Sequence, residues 1–482
     1  MFLVLSAGAA ALSVGPRLVA RPAAGLGKAA PRFVRLRSAA AEEGEAGVPA
    51  VAPAAAAAAA PAAEAAGASV AASTINLVKS IVGAGVLALP AGVSAFADAK
   101  GAVWPAAGIL TGLGLLSAYT FGVLGRVCGA YDAETYRDAW AKSVGEKSAW
   151  VVTACCTLTP FLACLSYSII MGDAFASLIA AAGPGPGVTS ALGALGGARH
   201  ATISALAVGA LWPLCSLKSL AALAPTSALG TAGVVYTAGF MAKRCLDGTY
   251  AAGGAFAEQL VASGARLPAF GSATGLGSPR LGVFMAMCGT AYMAHFNAPS
   301  FFKDAGRDAA KFSKVVRNGF GLSVLINVLV MAAGYLTFGG VSQGLILNNY
   351  ANADGLAAVA RLLFGVSVVF TFPLAYAAVK IGVKGTVARL LKGKSDDTVD
   401  KAVVLGPLAL ITAIALALDD VGIVVALTGA LMGSAVIYIL PMLMLLKADK
   451  VAKNPIEKKL APLAMIALGA ISGVLGVVTT FA

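Results

Sequence analysis

The stretch Asn76-Leu77-Val78-Lys79-Ser80-Ile81-Val82-Gly83-Ala84-Gly85-Val86-Leu87-Ala88-Leu89-Pro90 decides how this chain is read. It is apolar enough to cross a membrane, yet two glycines and a proline fall near its middle. Each Gly costs roughly 1 kcal/mol relative to Ala in a helix interior. Pro90 removes a further backbone donor. Together they allow the helix to break at mid-membrane. Freed N–H groups of the second half-helix suit a carboxylate, and freed carbonyls of the first suit a cation or an ammonium. An α-amino acid presents both charges. The competing reading is a close helix-packing face built on Gly-x-Gly, and the motif alone does not separate the two.

A second stretch, Met287-Cys288-Gly289-Thr290-Ala291-Tyr292-Met293-Ala294-His295-Phe296-Asn297-Ala298-Pro299, is equally breakable and unusually polar. Interrupted helices at matching positions of two halves are the best sequence pointer to a transport site at the bilayer midplane. The candidate substrate-binding residues are therefore Val82, Gly83, Ala84, Gly85, Gly289, Thr290 and Tyr292. Asn297, Ser367 and Thr371 add an amide and hydroxyls. Tyr438 and Pro441 either gate or simply pack and bend their helix.

The rest of the chain fits that setting. Of 482 residues, 59% are hydrophobic and only 12% charged, whereas a soluble domain is about half apolar and about a quarter charged. Apolar runs recur at 73–98, 102–125, 149–182, 201–217, 219–242, 279–301, 316–339, 355–382, 402–418, 421–446 and 460–481. Each approaches the ~20 residues that span hydrocarbon. The expectation is an all-α polytopic membrane protein of about eleven helices. If runs 1–5 and 6–10 are repeats, the two breakable runs are equivalent, and so are the long third and eighth.

Loops after even-numbered runs hold nineteen Lys and Arg, against five after odd-numbered ones. Lys218 is the one such residue after run four. The excess places even loops on the cytosol-equivalent side and accounts for the net charge of +13. These basic residues lie in short loops, not on one face, so no nucleic-acid partner is indicated. The seven cysteines lie in or beside apolar runs with no zinc-type spacing. With two histidines and no paired catalytic groups at one depth, the chain is not read as an enzyme. No ring of charges suggests a channel. Asp173 lies in the third run and is a functional candidate unless it sits near the outer interface, the preferred reading.

Residues 1–72 read differently. An apolar run, Met1 to Val14, precedes Arg17, Arg21, Lys28, Arg32, Arg35 and Arg37, with no acid before Glu42. The order is that of a targeting segment and resembles the bipartite presequence of complex plastids; a mitochondrial or simple plastid presequence is the competitor. The plastid envelope is the expected membrane, with the vacuole or another endomembrane as alternative. Val48 to Ala66 reads as an Ala/Pro linker, and 73–482 as the transmembrane domain. A short interfacial helix is expected within 126–148, and a flexible loop over 243–278.

The pattern Asn76-Leu77, Gly83-x-Gly85-x-Leu87-x-Leu89-Pro90 resembles the first-span signature of the amino acid/auxin permease family. The resemblance continues at Trp212-Pro213-Leu214-Cys215-x-Leu217-Lys218-x-Leu220, Ala294-His295-Phe296-Asn297-Ala298-Pro299, Gly334-Tyr335-Leu336-Thr337-Phe338-Gly339 and Thr371-Phe372-Pro373-Leu374. It is nearest in detail to the vacuolar and sodium-coupled neutral branches. It implies a five-plus-five inverted repeat like that of the bacterial leucine transporter, and secondary amino acid transport. Asn76 and Thr371 match the sodium-site positions of the sodium-coupled branch. Lys79 stands where that branch usually has Asn, as in the proton-coupled branch. H⁺ is thus the expected coupling ion, with Na⁺ at Asn76 and Thr371 as alternative, and no cofactor. Lys79 and His295 complete the candidate coupling residues. Each also has a plain reading, snorkelling for Lys79 and hydrogen-bonded packing for His295. The expected partners are an amino acid and the bilayer, with no obligate protein partner. A non-transporting sensor on the same fold is the third reading.

Overall fold

The computed structural model describes residues 69–217, 226–262, 266–448 and 450–481. Nearly all of the expected presequence and linker, together with Lys218 and Leu220, lie outside the described residues. The first helix, α1 (Val70–Ile81), begins three residues before the expected Ser73, because the Ser69 hydroxyl accepts from the Ala72 N–H at 3.1 Å. A turn of 3₁₀-helix (Ala84–Ala88) separates it from α2 (Leu89–Phe96), and the two axes bend by 48°. Then follow α3 (Val103–Tyr131), the short α4 (Tyr136–Ser143) and α5 (Ala149–Ala181). Next are α6 (Ala198–Leu206), which runs through a π turn into Trp212–Ser216, and α7 (Thr226–Leu246). The second half holds α8 (Leu281–Ala291), α9 (Ala298–Asp304), α10 (Ala309–Phe338), α11 (Gly355–Leu390) and α12 (Asp396–Ala417). It ends with α13 (Val421–Thr428), a π-helical stretch (Gly429–Ile439), α14 (Leu440–Lys447) and α15 (Ala461–Thr480).

Every one of the eleven apolar runs thus contains helix. Among the described residues seven helices are long and apolar enough to cross a membrane, and α1 with α2 makes an eighth if counted as one bent span. The shortfall from eleven has local causes. The run at 279–301 is broken between α8 and α9, and the run at 201–217 passes through the π turn. Carboxylates and hydroxyls at Asp308, Asp354, Ser395 and Asp420 accept the first free N–H groups of α10, α11, α12 and α13, the usual requirement of a helix start. The expected short helix is α4. Its Trp140 is buried, and Trp140 Nε1 donates to Ser148 Oγ at 2.9 Å.

In lipid, apolar burial does not drive helices together, so close packing and polar contacts must. Here α5 lies along α11, α3 along α10, and α8 against α2 and α15. At Gly429 a Cβ would stand 1.6 Å from the Ala286 carbonyl oxygen, so only glycine lets the π-helical stretch reach α8.

The expected flexible loop is tied down in its described part. Gly271 N–H donates to Asp98 O, Asp98 and Ala99 N–H donate to Ala273 O, and Gly340 N–H donates to Ala269 O, all at 2.9–3.1 Å. The segment pairs its backbone directly with neighbouring backbone, and Phe270 packs edge-on against Tyr335. Arg244 donates to Asp354 through Nε and Nη2 (2.9 and 2.8 Å), and Tyr250 Oη donates to the same carboxylate at 3.0 Å. Burial opposes the charge on Asp354, but these bonds outweigh it and hold its carboxyl below the usual range.

Candidate functional site

At the first break the α1 ladder ends with Val82 N–H on Val78 O, and Gly83 turns back onto Ile81 O. Gly83 adopts φ −118°, ψ −148°, outside helical space. Ala84 and Gly85 therefore open a new helical segment, and their N–H groups have no partner within it. At the second break α8 ends on Tyr292, and the chain resumes through a turn at His295–Asn297 before α9. The two breaks touch. A Cβ on Gly85 would stand 3.1 Å from Thr290 Cγ2 and 3.2 Å from the Ala291 nitrogen. Asn297 Nδ2 donates to Ser80 Oγ at 3.0 Å, and Thr290 Oγ1 donates to Val425 O at 2.6 Å.

A cavity of about 300 Å³ lies against both breaks. Of the candidate residues it is lined by Asn76, Lys79, Gly83, Ala84, Gly85, Thr290, Asn297 and Thr371. Lys79 runs toward α7. A Cβ on Gly230 would lie 3.8 Å from Lys79 Cε and 2.6 Å from Ser367 Oγ, so the lysine stem and α11 meet there. No neighbouring carboxylate compensates the Lys79 charge among the described residues. Thr371 Oγ1 donates to Ser367 O in its own helix at 2.8 Å.

The other candidates lie elsewhere. Val82 is buried outside the cavity lining, and Gly289 packs on Gly429. Tyr292 points away from the cavity toward α3, where a Cβ on Gly114 would stand 2.9 Å from its hydroxyl. Residues two apart on a helix point to nearly opposite sides, so Thr290 and Tyr292 do not share a site. His295 is fully buried, with Nε2 2.8 Å from Thr120 Oγ1 and 3.0 Å from Ser117 O, beside Phe121 and Phe320. Asp173 faces the opposite end, paired with Arg199 Nε (2.8 Å) and Asn348 Nδ2 (3.0 Å).

Residues not singled out from sequence also line the cavity, among them Tyr167, Thr159, Met293, Phe296 and Thr428. A Cβ on Gly83 would lie 4.0 Å from Tyr167 Oη. Met293 and Phe296 sit inside the second breakable stretch, where their apolar character hid them. The cavity continues from the breaks to Arg137 in α4 and Asp304 at the end of α9, both on the basic side. Beyond the breaks a second pocket of about 570 Å³ carries Ser94, Asp173, Arg280 and Asp420. Gly85, Thr290 and Val425 stand between the two.

A helical membrane bundle with two facing interrupted helices beside a cavity open to one side has the fold of secondary transporters. The crystal structure of MhsT in complex with L-phenylalanine shares it, with a TM-score of 0.50 at 14% identity over 85% of this chain and 98% of that one. The chain belongs to the transmembrane amino acid transporter protein family, whose model matches residues 66–482. A putative sodium-coupled neutral amino acid transporter 11 of Danio rerio is 26% identical over 79% of each chain. The vacuolar amino acid transporter 7 of Saccharomyces cerevisiae is 27% identical over 66% of this chain and 60% of its own.

Proposed function

We propose that this multi-pass protein is a secondary active transporter of neutral amino acids, coupled to protons and working by alternating access. The observation that carries the reading is the meeting of two helix breaks at one cavity. Free N–H groups at Ala84 and Gly85 suit the substrate carboxylate, and the carbonyl end of α1 suits its ammonium. Ala163, Met293, Phe296, Leu374 and Ala375 line the cavity, while its acid, Asp304, stands with Arg137 at the mouth. Such a wall favours an uncharged side chain. The described conformation corresponds to the state open toward the basic side.

Lys79 supports proton coupling. Its stem lies between α1, α7 and α11 with no compensating carboxylate among the described residues, and gain or loss of its proton changes the charge beside the substrate. Sodium coupling is the second reading, favoured by Asn76 and Thr371 on the same cavity. The first breakable helix and its counterpart at α8–α9 support the five-plus-five inverted repeat. The apolar-then-basic order of residues 1–37 supports delivery to a plastid envelope, checked by imaging a carboxyl-terminal fluorescent fusion.

Uptake of labelled amino acids into proteoliposomes by the full chain tests the function, with pH and sodium gradients imposed separately. Uptake driven by the pH gradient and indifferent to Na⁺ is expected. Uptake that requires Na⁺ moves the coupling site to Asn76 and Thr371. Absence of uptake by correctly inserted protein under either gradient overturns the transport reading.

A further inference from the structure

Behind the second break, on the face away from the transport cavity, lies a group of buried polar atoms without a well-formed hydrogen bond. They are Tyr292 Oη, both amide atoms of Asn327, His295 Nδ1 and Tyr438 Oη. The four residues are at most 3% exposed. Four elements bring them together. Gly114, Ser117 and Thr120 share one face of α3, spaced three apart. Phe320, Val324 and Asn327 share one face of α10, and Val324 and Tyr292 both crowd Gly114. Tyr292 at the end of α8 stands near Tyr438 and makes at most a long, weak contact with the Asn327 amide. Tyr438, from the π-helical stretch, makes a similarly long, weak contact with Ser117, whose carbonyl holds His295.

The histidine has a defined tautomer. Ser117 O can only accept, so His295 Nε2 carries the hydrogen that it shares with Thr120 Oγ1. Thr120 Oγ1 spends its own hydrogen on Ser117 O at 3.1 Å. His295 Nδ1 is then a bare lone pair on a ring packed beside Phe121 and Phe320. A buried acceptor or donor left unmade costs about 1–3 kcal/mol, so five atoms this poorly satisfied favour an occupant.

The chemistry of the occupant follows from Asn327. Its amide offers an acceptor and a donor, and neither has a well-formed bond whichever way the amide is turned. The occupant must therefore donate and accept. A metal cation or an ammonium cannot accept from the amide N–H, and no carboxylate stands in this group to balance its charge. Water does both, and ordered internal waters typically bridge about three such groups. We propose that Tyr292, Asn327, Tyr438 and His295 Nδ1 enclose an internal hydration site separate from the transport cavity. The second break is then backed by exchangeable hydrogen bonds, not by close packing.

Radiolytic hydroxyl-radical footprinting of the full chain in lipid nanodiscs tests this. Radicals generated from ordered water oxidise the side chains it touches, even when bulk solvent does not reach them. Tyr292 and Tyr438 are expected to be oxidised several-fold faster than Tyr376, which is equally buried but bonded to Val404 O. Oxidation no faster than at Tyr376 overturns the proposal. Replacing choline by Na⁺ in the buffer is expected to change nothing; loss of the Tyr292 and Tyr438 signals in Na⁺ alone puts a cation there instead. Asn327→Leu is expected to lower both signals several-fold, and unchanged signals overturn the role of the amide. If that variant does not fold, Tyr438→Phe reads the same effect at Tyr292.

Discussion

Gly85 is the residue at which the transport reading is most exposed to test. Its missing Cβ lets the first break sit 3.1–3.3 Å from Thr290 and the Ala291 backbone. Gly85→Val places branched carbon against main chain that cannot yield, so uptake is lost while expression and detergent-stable folding persist. Labelled-substrate binding and uptake, measured on the same preparation, check this. Lys79→Met keeps the stem against α7 and removes the charge. Binding persists in the variant, but uptake no longer follows the pH gradient; an unchanged pH response removes Lys79 from coupling. The glycines and the lysine were legible because each has a cost in a membrane helix that calls for an explanation. Tyr167 and Thr428 were not, since a hydroxyl on an apolar helix costs little and its facing is set by how the helix rotates in the bundle. Tyr292 shows the converse: its polar tip suggested a site, but a helix turn directs it to the opposite side.

Among elements, α1–α2 and α8–α9 were foreseen as broken because Gly and Pro mark where a ladder fails. The strap at residues 269–273 was not foreseen. Its anchors, Asp98 and Gly340, are distant in sequence, and backbone pairing leaves no side-chain signature. The outer connection between α7 and α11 depends on Arg244 and Asp354. Asp354 is fully buried and Arg244 partly so, and leaving a buried charge without its partner costs up to roughly 3–5 kcal/mol. Arg244→Met therefore lowers the thermal midpoint in detergent, and it also alters the pH response. Because the folded carboxyl titrates below its ordinary value, the pair stabilises fully above about pH 4 and progressively less as pH falls through the folded pKa. In wild type the midpoint declines on acidification in that range; in Arg244→Met this component of the decline is missing. Melting curves at stepped pH separate the two.

For the whole molecule, orientation follows from the cavity mouth. Cys156 lines the cavity, whereas Cys164 and Cys288 are fully buried. A membrane-impermeant maleimide is expected to modify Cys156 from the basic-loop side, faster than Cys164 or Cys288, and saturating substrate to slow the reaction. Protection in the absence of substrate, or reaction only from the opposite side, contradicts the open direction. The bundle as a whole was legible from apolar run length, since each run must satisfy its own backbone in lipid. Which side stands open was not, because it depends on how the helices lean. The two pockets, of about 570 and 300 Å³, leave Gly85, Thr290 and Val425 as the layer between them. When both are filled with electrolyte, most of a transmembrane voltage falls across that layer and not across the full thickness of hydrocarbon. A unit charge carried through it then feels nearly the entire field, about 2.3 kcal/mol per 100 mV. Electrically, the membrane is thinned to that layer.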